Sequence, residues 1–563
     1  WIAKQQVSAP DKPFFCYFAP AAVHAPHHVA PEWIDKFKGQ FDDGWDALRN
    51  SIFERQLAMG AIPPETVLTE RPEQVPSWDE YPDRYKPVAS RLMEVFAGFM
   101  AHTDAQVEKV IDYLVDQDAF DNTLVIYLTG DNGASAEGTV HGAWSAPSFQ
   151  NGVHEDPEWL LEHMEDFGTE RCENHFNVGW AWALDSPFQW MKQVASHFGG
   201  TRNALAVSWP KGIGARDEFR QQFQHVIDVF PTLLEVAGIP MPGRVNGIEQ
   251  DEVHGTSMVP TFADASTPST HVTQYFEILG NRAIYHDGWM ASCFHGRLPW
   301  IRFAGFEFDG EQEVWELYHV AEDFSQSVDL AAKHPEKLRQ LQELFEQEAE
   351  RYGVYPLRDA SGRRGGDYAP PHSMEGHSKM TYGPMHVRLP EHGVINLKNT
   401  SVRITGSVAT GEASTGEIAC QVGNMAGWSL YLDSESRPTY VYNWFGHEFT
   451  TITGSPLGPG EHQICVDYAH DGGFAAGGDL MLSVDGQRVA TGRIERSVPV
   501  IFSMSGETFD VGRDTGSPVG KYPHDFAFSG SIQGVTLERL AEPTDEVRQQ
   551  ERRGKFQAGL SAQ

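Results

Sequence analysis

Leu124-Val-Ile-Tyr-Leu-Thr-Gly-Asp-Asn-Gly133 is the stretch on which the reading of this chain turns. Its opening run of apolar and aromatic residues predicts a strand buried on both faces, and Thr129-Gly-Asp-Asn-Gly133 follows where that strand would end. Open parallel α/β sheets place their ligands at the carboxyl ends of the strands. A carboxylate beside an amide oxygen offers hard donors suited to Ca²⁺ or Mg²⁺, and Gly130 and Gly133 let the backbone bend closely around an ion. Asp-Asn-Gly is also a common turn, so the run alone does not separate a turn from half of a metal site.

The rest of the chain narrows the choice. At 563 residues it is too long for a single ordinary core. A helical period over Ser90 to about Asp116 precedes the strand. Ala204-Leu-Ala-Val-Ser-Trp209 reads as a second buried strand, and Gln224 to Val236 as a helix closed by Gly238. Pro13-Phe-Phe-Cys-Tyr-Phe-Ala19 looks strand-like from the outset, as if the chain were entered partway through a domain. Strand-like 282–285 and 314–318, followed by a charged amphipathic helix at about 335–352, suggest a small α+β subdomain. From about residue 386 short alternating runs separated by Gly and Asp-Gly turns predict an all-β jelly-roll or sandwich. The expected organisation is an α/β unit over 1–360, a Gly/Arg/Pro-rich linker over 361–385, a β-sandwich over 386–543 and a charged tail over 544–563.

The net charge of −35 argues against nucleic acid or an anionic membrane surface as partner, since both need clustered Lys and Arg. No window reaches the roughly 18 apolar residues of a membrane span. The five cysteines are widely spaced, without a CxxC pair, which argues against a disulfide framework or structural zinc.

Pro13-Phe-Phe, His24-Ala-Pro-His27, Phe41-Asp-Asp-Gly-Trp-Asp46, Asn122-Thr-Leu-Val-Ile-Tyr127, Gly130-Asp-Asn-Gly-Ala-Ser-Ala-Glu137, Gly199-Gly-Thr-Arg-Asn203, Trp209-Pro-Lys211, Pro231-Thr-Leu-Leu-Glu235 and Glu316-Leu-Tyr318 occur in this order. Together they resemble the type I sulfatases, the arylsulfatase family, over about residues 10–360. Tyr442-Asn-Trp-Phe-Gly446 and Phe509-Asp-Val-Gly-Arg-Asp514 look like the accessory domain of a large bacterial subgroup of that family. The resemblance implies an alkaline-phosphatase-like α/β/α fold and hydrolysis of a small-molecule or carbohydrate sulfate ester. It also implies a divalent cation, usually Ca²⁺, and a formylglycine nucleophile installed on a Cys or Ser by a formylglycine-generating enzyme. Asp131 and Asn132 match the family's later pair of metal ligands. His24 matches the histidine that contacts the leaving oxygen, with His27 as its competitor. Lys192, seven residues before Gly199-Gly, matches the lysine that binds sulfate, and His197 lies close enough to be confused with it. Arg202 reads as structural, paired with a carboxylate. His102 and Asp104 suit either a supporting shell or ordinary helix-surface contacts.

The family's Cys/Ser-x-Pro-x-Arg motif and the Asp-Asp pair before it are not found upstream of Pro13. Cys293-Phe-His-Gly-Arg297 has the Cys and Arg spacing but His in place of Pro, on the wrong side of Asp131; it reads as a buried thiol in a strand. The expected nucleophile is therefore encoded outside this chain. Phosphate and phosphonate ester hydrolases of the same superfamily are the enzymatic alternative, and an inactive fragment with a carbohydrate-binding sandwich is the non-enzymatic one. Asp131 and Asn132 supply about two oxygens where Ca²⁺ takes roughly six to eight. Residues 1–563 are thus expected to bind Ca²⁺ weakly or not at all, and submicromolar affinity by calorimetry would place the remaining ligands inside the chain.

Overall fold

Phe41-Asp-Asp-Gly-Trp-Asp46 leads into the first long helix, α1 (Gly44–Met59). In the computed structural model, which describes residues 1–130, 132–214, 217–301, 313–357, 373–503 and 506–561, Gly44, Trp45 and Asp46 of this motif each have a task. Gly44 takes φ +83°, and a Cβ there would lie 2.1 Å from the Trp78 ring. Trp45 packs edge-on against Trp78 at 4.7 Å and Trp180 at 5.5 Å, an arrangement that suits the aromatic quadrupoles. Asp46 accepts from the Trp78 backbone N–H at 2.8 Å. Helix α2 (Lys86–Asp116) begins four residues earlier than its apolar period and buries Leu92, Val95 and Phe96 in the same core. Trp180 and Trp182 enter from α3 (Val178–Leu184).

Two sequence expectations are corrected here. Strand β1 (Val125–Thr129) pairs antiparallel with β2 (Ala204–Ser208), and this sheet has two strands among the described residues. Neither strand is buried on both faces: Leu128 is 39% and Leu205 38% exposed. Residues 13–19 are not a strand, and Phe15, Tyr17 and Phe18 stand in solvent. An apolar run becomes an inner strand only when partners lie along its edges and layers cover its faces. Among the described residues those partners are lacking at both places.

Helix α4 (Val229–Ala237) ends on Gly238 at φ +65°, the left-handed cap read from the sequence. Strands β3 (Thr273–Ile278), β4 (Asn281–His286), β5 (Trp289–Cys293) and β6 (Trp315–Tyr318) form one antiparallel sheet in chain order. Helix α5 (Pro335–Arg351) covers it with Leu341 and Phe345 against Ile284, Ala291 and Leu317. This is the small α+β arrangement.

The strand β7 (Lys379–Tyr382) falls within the stretch read as a linker, of which residues 361–372 lie outside those described. Ten further strands follow: β8 (Val402–Thr410), β9 (Gly416–Val422), β10 (Gly427–Leu432), β11 (Pro438–Trp444), β12 (Glu448–Thr453), β13 (Gly460–His470), β14 (Ala476–Val484), β15 (Gln487–Arg496), β16 (Phe509–Val511) and β17 (Ser531–Arg539). They build a six-stranded sheet, β15-β14-β13-β8-β17-β7, and a five-stranded sheet, β12-β11-β10-β9-β16. Ile404, Val466, Trp428 and Phe509 lie in the core between them. Helix α6 (Asp545–Ser561) ends the described chain. No helix of the described residues is long and apolar enough to cross a membrane.

On the five-stranded sheet, Glu417 accepts from Ser429 Oγ at 2.8 Å, and Tyr522 donates its hydroxyl to Asp514 at 2.9 Å. Burial, and then the proximity of Asp514, lifts the Glu417 carboxyl well above the carboxylate range. Burial likewise lifts Asp514 from 3.8 to about 6. A raised folded-state pKa means that the fold favours the protonated acid. The stabilisation is complete below about pH 4 and is lost as pH rises through the folded-state values. For Asp514 the rise corresponds to roughly 3 kcal/mol at most. Thermal unfolding followed by circular dichroism is expected to give a lower Tm at pH 8 than at pH 5, and Asp514→Asn is expected to flatten that dependence. An unchanged profile in the variant would contradict the assignment.

Candidate functional site

The site grows from two loops that touch through glycine. Gly133 lies against the backbone of Gly199: a Cβ on Gly133 would stand 1.8 Å from the Gly199 carbonyl oxygen and 2.8 Å from the Lys192 nitrogen. Lys192 N–H donates to Ala134 O at 3.2 Å, and Asp185 accepts from Ala134 N–H with both oxygens at 3.0 and 3.1 Å. Burial lifts the Asp185 carboxyl well above its usual range. The loop that carries Lys192 folds back so tightly that a Cβ on Gly199 would meet Gln189 O at 2.2 Å, and one on Gly200 would meet Val194 O at 2.3 Å. Trp190 and Gln193 take positive φ values of 63° and 75°, a strained backbone on either side of Lys192.

Side chains from elsewhere hold that strain in place. Asn281 donates to Gln193 O at 2.8 Å, and Gln193 donates to Glu137 at 2.9 Å. Arg297 donates to Gln193 Oε1 at 3.0 Å. Asn203, with its amide nitrogen toward Asn132 O at 3.0 Å and its oxygen toward Asn132 N at 3.1 Å, clamps the Asn132 backbone. Asn203 is the last residue of Gly199-Gly-Thr-Arg-Asn203, and sequence reading assigned it no task.

Lys192 Nζ reaches His24 Nε2 at 3.2 Å. The Nδ1 of His24 stands 2.8 Å from Ala25 O, which makes Nδ1 the protonated nitrogen of the neutral ring and leaves Nε2 to accept from the lysine ammonium. Lys192 is buried and His24 exposed, so the pair lies at an opening. His27, the competitor for the histidine position, points the other way. It is buried among Phe96, Phe99, Phe176 and His175, its Nδ1 has no partner among the described residues, and burial pushes its pKa well down. His197 is also separate from the pair, with Nε2 3.1 Å from Glu316.

The remaining candidates take ordinary places. Arg202 is not paired with a carboxylate among the described residues. Its guanidinium lies over the rings of Phe324 at 3.8 Å, Phe198 at 5.2 Å and Phe188 at 5.6 Å, and burial lowers its pKa to about 10. The planar, weakly hydrated guanidinium suits an aromatic cage, which corrects the ion pair expected from residue type. Cys293 is buried in β5, with burial raising its thiol to about 12, and Cys16 is exposed. His102 meets the Trp33 ring edge at 5.2 Å.

Asp131 lies outside the described residues, so the structure tests the metal loop through its neighbours. Asn132 offers a hard amide oxygen at the right end of β1, and the Asn203 clamp fixes its backbone. The donor chemistry suits a hard divalent cation, but the set is short of a full shell. Among the described residues the group of three ligand-type side chains close enough to share an ion is Glu417, Cys420 and Asp514, in the β-sandwich.

An α/β protein with a Lys–His pair packed on an oxygen-donor loop is the class that this arrangement defines. The sulfatase family model matches residues 2–239, and that stretch of the chain is similar to the sulfatases. An uncharacterized sulfatase of Schizosaccharomyces pombe is 30% identical over 337 residues, 59% of this chain and 57% of that protein. An arylsulfatase of Klebsiella aerogenes is 28% identical over 240 residues, 42% of this chain and 48% of that protein. The chain spans about half the length of these relatives. A solved carbohydrate-binding module of a Ruminococcus gnavus sialidase overlaps 31% of this chain and 98% of its own, at 14% identity and TM-score 0.22.

A Cβ at position 199 cannot be accommodated without moving backbone. Gly199→Ala is expected to destabilise the chain by about 1–3 kcal/mol and to displace Lys192. Thermal unfolding measures the first effect. Loss of the Lys192–His24 contact in the variant's crystal structure measures the second, and an unmoved loop would contradict the glycine argument.

Proposed function

We propose that the whole protein hydrolyses sulfate esters, with His24 and Lys192 working on the leaving oxygen and the sulfate group. The observation that carries this reading is the 3.2 Å contact between Lys192 Nζ and His24 Nε2, beside the loop of Asn132, in a chain whose residues 2–239 are similar to the sulfatases. When present, a divalent cation held by Asp131, Asn132 and ligands outside these residues would neutralise sulfate charge, and a formylglycine outside residues 1–563 would supply the attacking oxygen.

The roles of this chain's own groups follow from their geometry. The Lys192 ammonium is a buried positive charge at an opening, placed to hold two sulfate oxygens against a net-negative protein. His24 keeps Nδ1 anchored on Ala25 O, so when the Lys192 ammonium turns to the sulfate oxygens and Nε2 takes up a proton from water at the opening, the imidazolium holds that proton along a fixed direction. As the S–O bond to the alcohol breaks, that proton passes from Nε2 to the departing oxygen and leaves a neutral imidazole, while the lysine charge stays on the sulfate oxygens. The Asn203 clamp and the glycine contacts keep Asn132 and Lys192 in fixed relation while this happens.

With 4-nitrophenyl sulfate as substrate, Lys192→Ala and His24→Ala in the full-length protein are each expected to lower kcat/KM by about 10²–10⁴-fold. Variants within threefold of the parent would remove both residues from the reaction. Residues 1–563 alone are expected to show no turnover, and turnover by them would put the nucleophile inside the chain.

A further inference from the structure

His175 is buried close to the His24–Lys192 pair and has no part in the scheme above. Its backbone is fixed: residues 143 and 175 exchange two hydrogen bonds, each at 2.9 Å. Its ring is fixed as well. Nδ1 lies 3.0 Å from Phe176 O, and since a carbonyl only accepts, Nδ1 carries the proton. Gly138 makes room for this arrangement, because a Cβ there would stand 2.8 Å from the Nδ1 and 1.9 Å from Phe176 O. The loop that begins with Asp131 and Asn132 therefore ends packed against His175. His27 supports the other side of the ring, with centroids 5.4 Å apart.

What remains is Nε2, a bare acceptor that no described group takes. Burial pushes the imidazole down to about 3, with His24 and Lys192 both close enough to push it further down. The ring therefore stays neutral beside the lysine ammonium, and Nε2 keeps its lone pair. An acceptor cannot bind sulfate oxygens, which only accept. It fits a hydroxyl or N–H on the alcohol side of the ester.

We propose that His175 is a specificity residue whose Nε2 accepts a hydrogen bond from a hydroxyl neighbouring the sulfated oxygen, so that the substrate is the sulfate of a polyhydroxylated alcohol such as a sugar. This rests on the sulfate ester reading of the His24–Lys192 pair and names its substrate class. An aryl sulfate without a neighbouring donor cannot use Nε2. A buried acceptor left unpaired by such a substrate costs the site binding free energy.

The test compares two esters on the full-length protein: a monosaccharide sulfate with a free hydroxyl on the adjacent carbon, and 4-nitrophenyl sulfate. In His175→Phe, kcat/KM for the sugar sulfate is expected to fall by about 10–100-fold, while the aryl sulfate changes by less than about threefold. His175→Gln, which places an amide oxygen near the Nε2 position, is expected to recover part of the loss, and thermal melts of both variants show whether the fold is retained. Equal losses on both esters, or no loss on either, would overturn the assignment. Failure of the parent protein to cleave either ester would sink the sulfate ester reading, and this proposal with it. Cleavage of both, with no selective loss at position 175, would sink this proposal alone.

Discussion

The contact on which the site depends is backbone against backbone, where Gly133 meets the carbonyl of Gly199 at a distance that leaves no room for a Cβ. Because those chains touch, the loop of Asn132 and the loop of Lys192 form one layer, and a shift of either moves the other. Glycine carries an entropic cost on folding, and the positive φ values at Trp190 and Gln193 add strain. Asp185, Asn281 and Asn203 offset these costs with hydrogen bonds to Ala134, Gln193 and Asn132. Lys192 is thus positioned by main-chain contacts of its neighbours, and its own side chain is left to face His24.

Local signals in the sequence were read well and non-local ones poorly, for a physical reason. The period of α2, the Gly238 cap and the hairpin of β3 and β4 depend on residues close together in the sequence. The burial of β1 and the strand expected at 13–19 depend on what lies alongside, and an apolar run has the same spelling with or without a partner. Arg202 was read as an ion pair from its type, whereas its cage of Phe188, Phe198 and Phe324 is assembled from distant positions. His24 and His27 could not be separated by residue type. Their separation comes from aromatic side chains of α2 and Phe176, which take one ring into the core and leave the other at the surface. Asn203 and His175 were quoted or passed over without a role, because hydrogen-bond direction has no sequence signature.

A protein of net charge −35 that is to hold a sulfate ester, as proposed, has to settle local against global electrostatics. Exposed charges beyond about 8 Å are largely screened at physiological salt, so the groups within that range decide. Burial shifts Asp185, beside the Asn132–Ala134 loop, toward its neutral form, and His27 and His175 are neutral for the same reason. Neutralising the acid removes a competitor for the Lys192 ammonium. Neutralising the imidazoles removes two charges that would repel it. The lysine ammonium is left facing His24, with two neutral imidazoles nearby.

The β-sandwich is part of that shell at one remove. Glu155 accepts from the backbone of Ser145 at 3.0 Å and meets His447 of the sandwich at 2.8 Å, and Asn151 donates to Ile501 O at 2.9 Å. A Cβ on Gly446 would stand 2.4 Å from the Trp144 ring, so the sandwich closes directly on that residue. Trp144 sits between Ala143 and Ser145, whose bridges run to His175 and Glu173. A module joined only by a tether would leave these groups to water. Here the sandwich is docked onto the segment that fixes His175, so its packing bears on that buried imidazole as well as on its own stability.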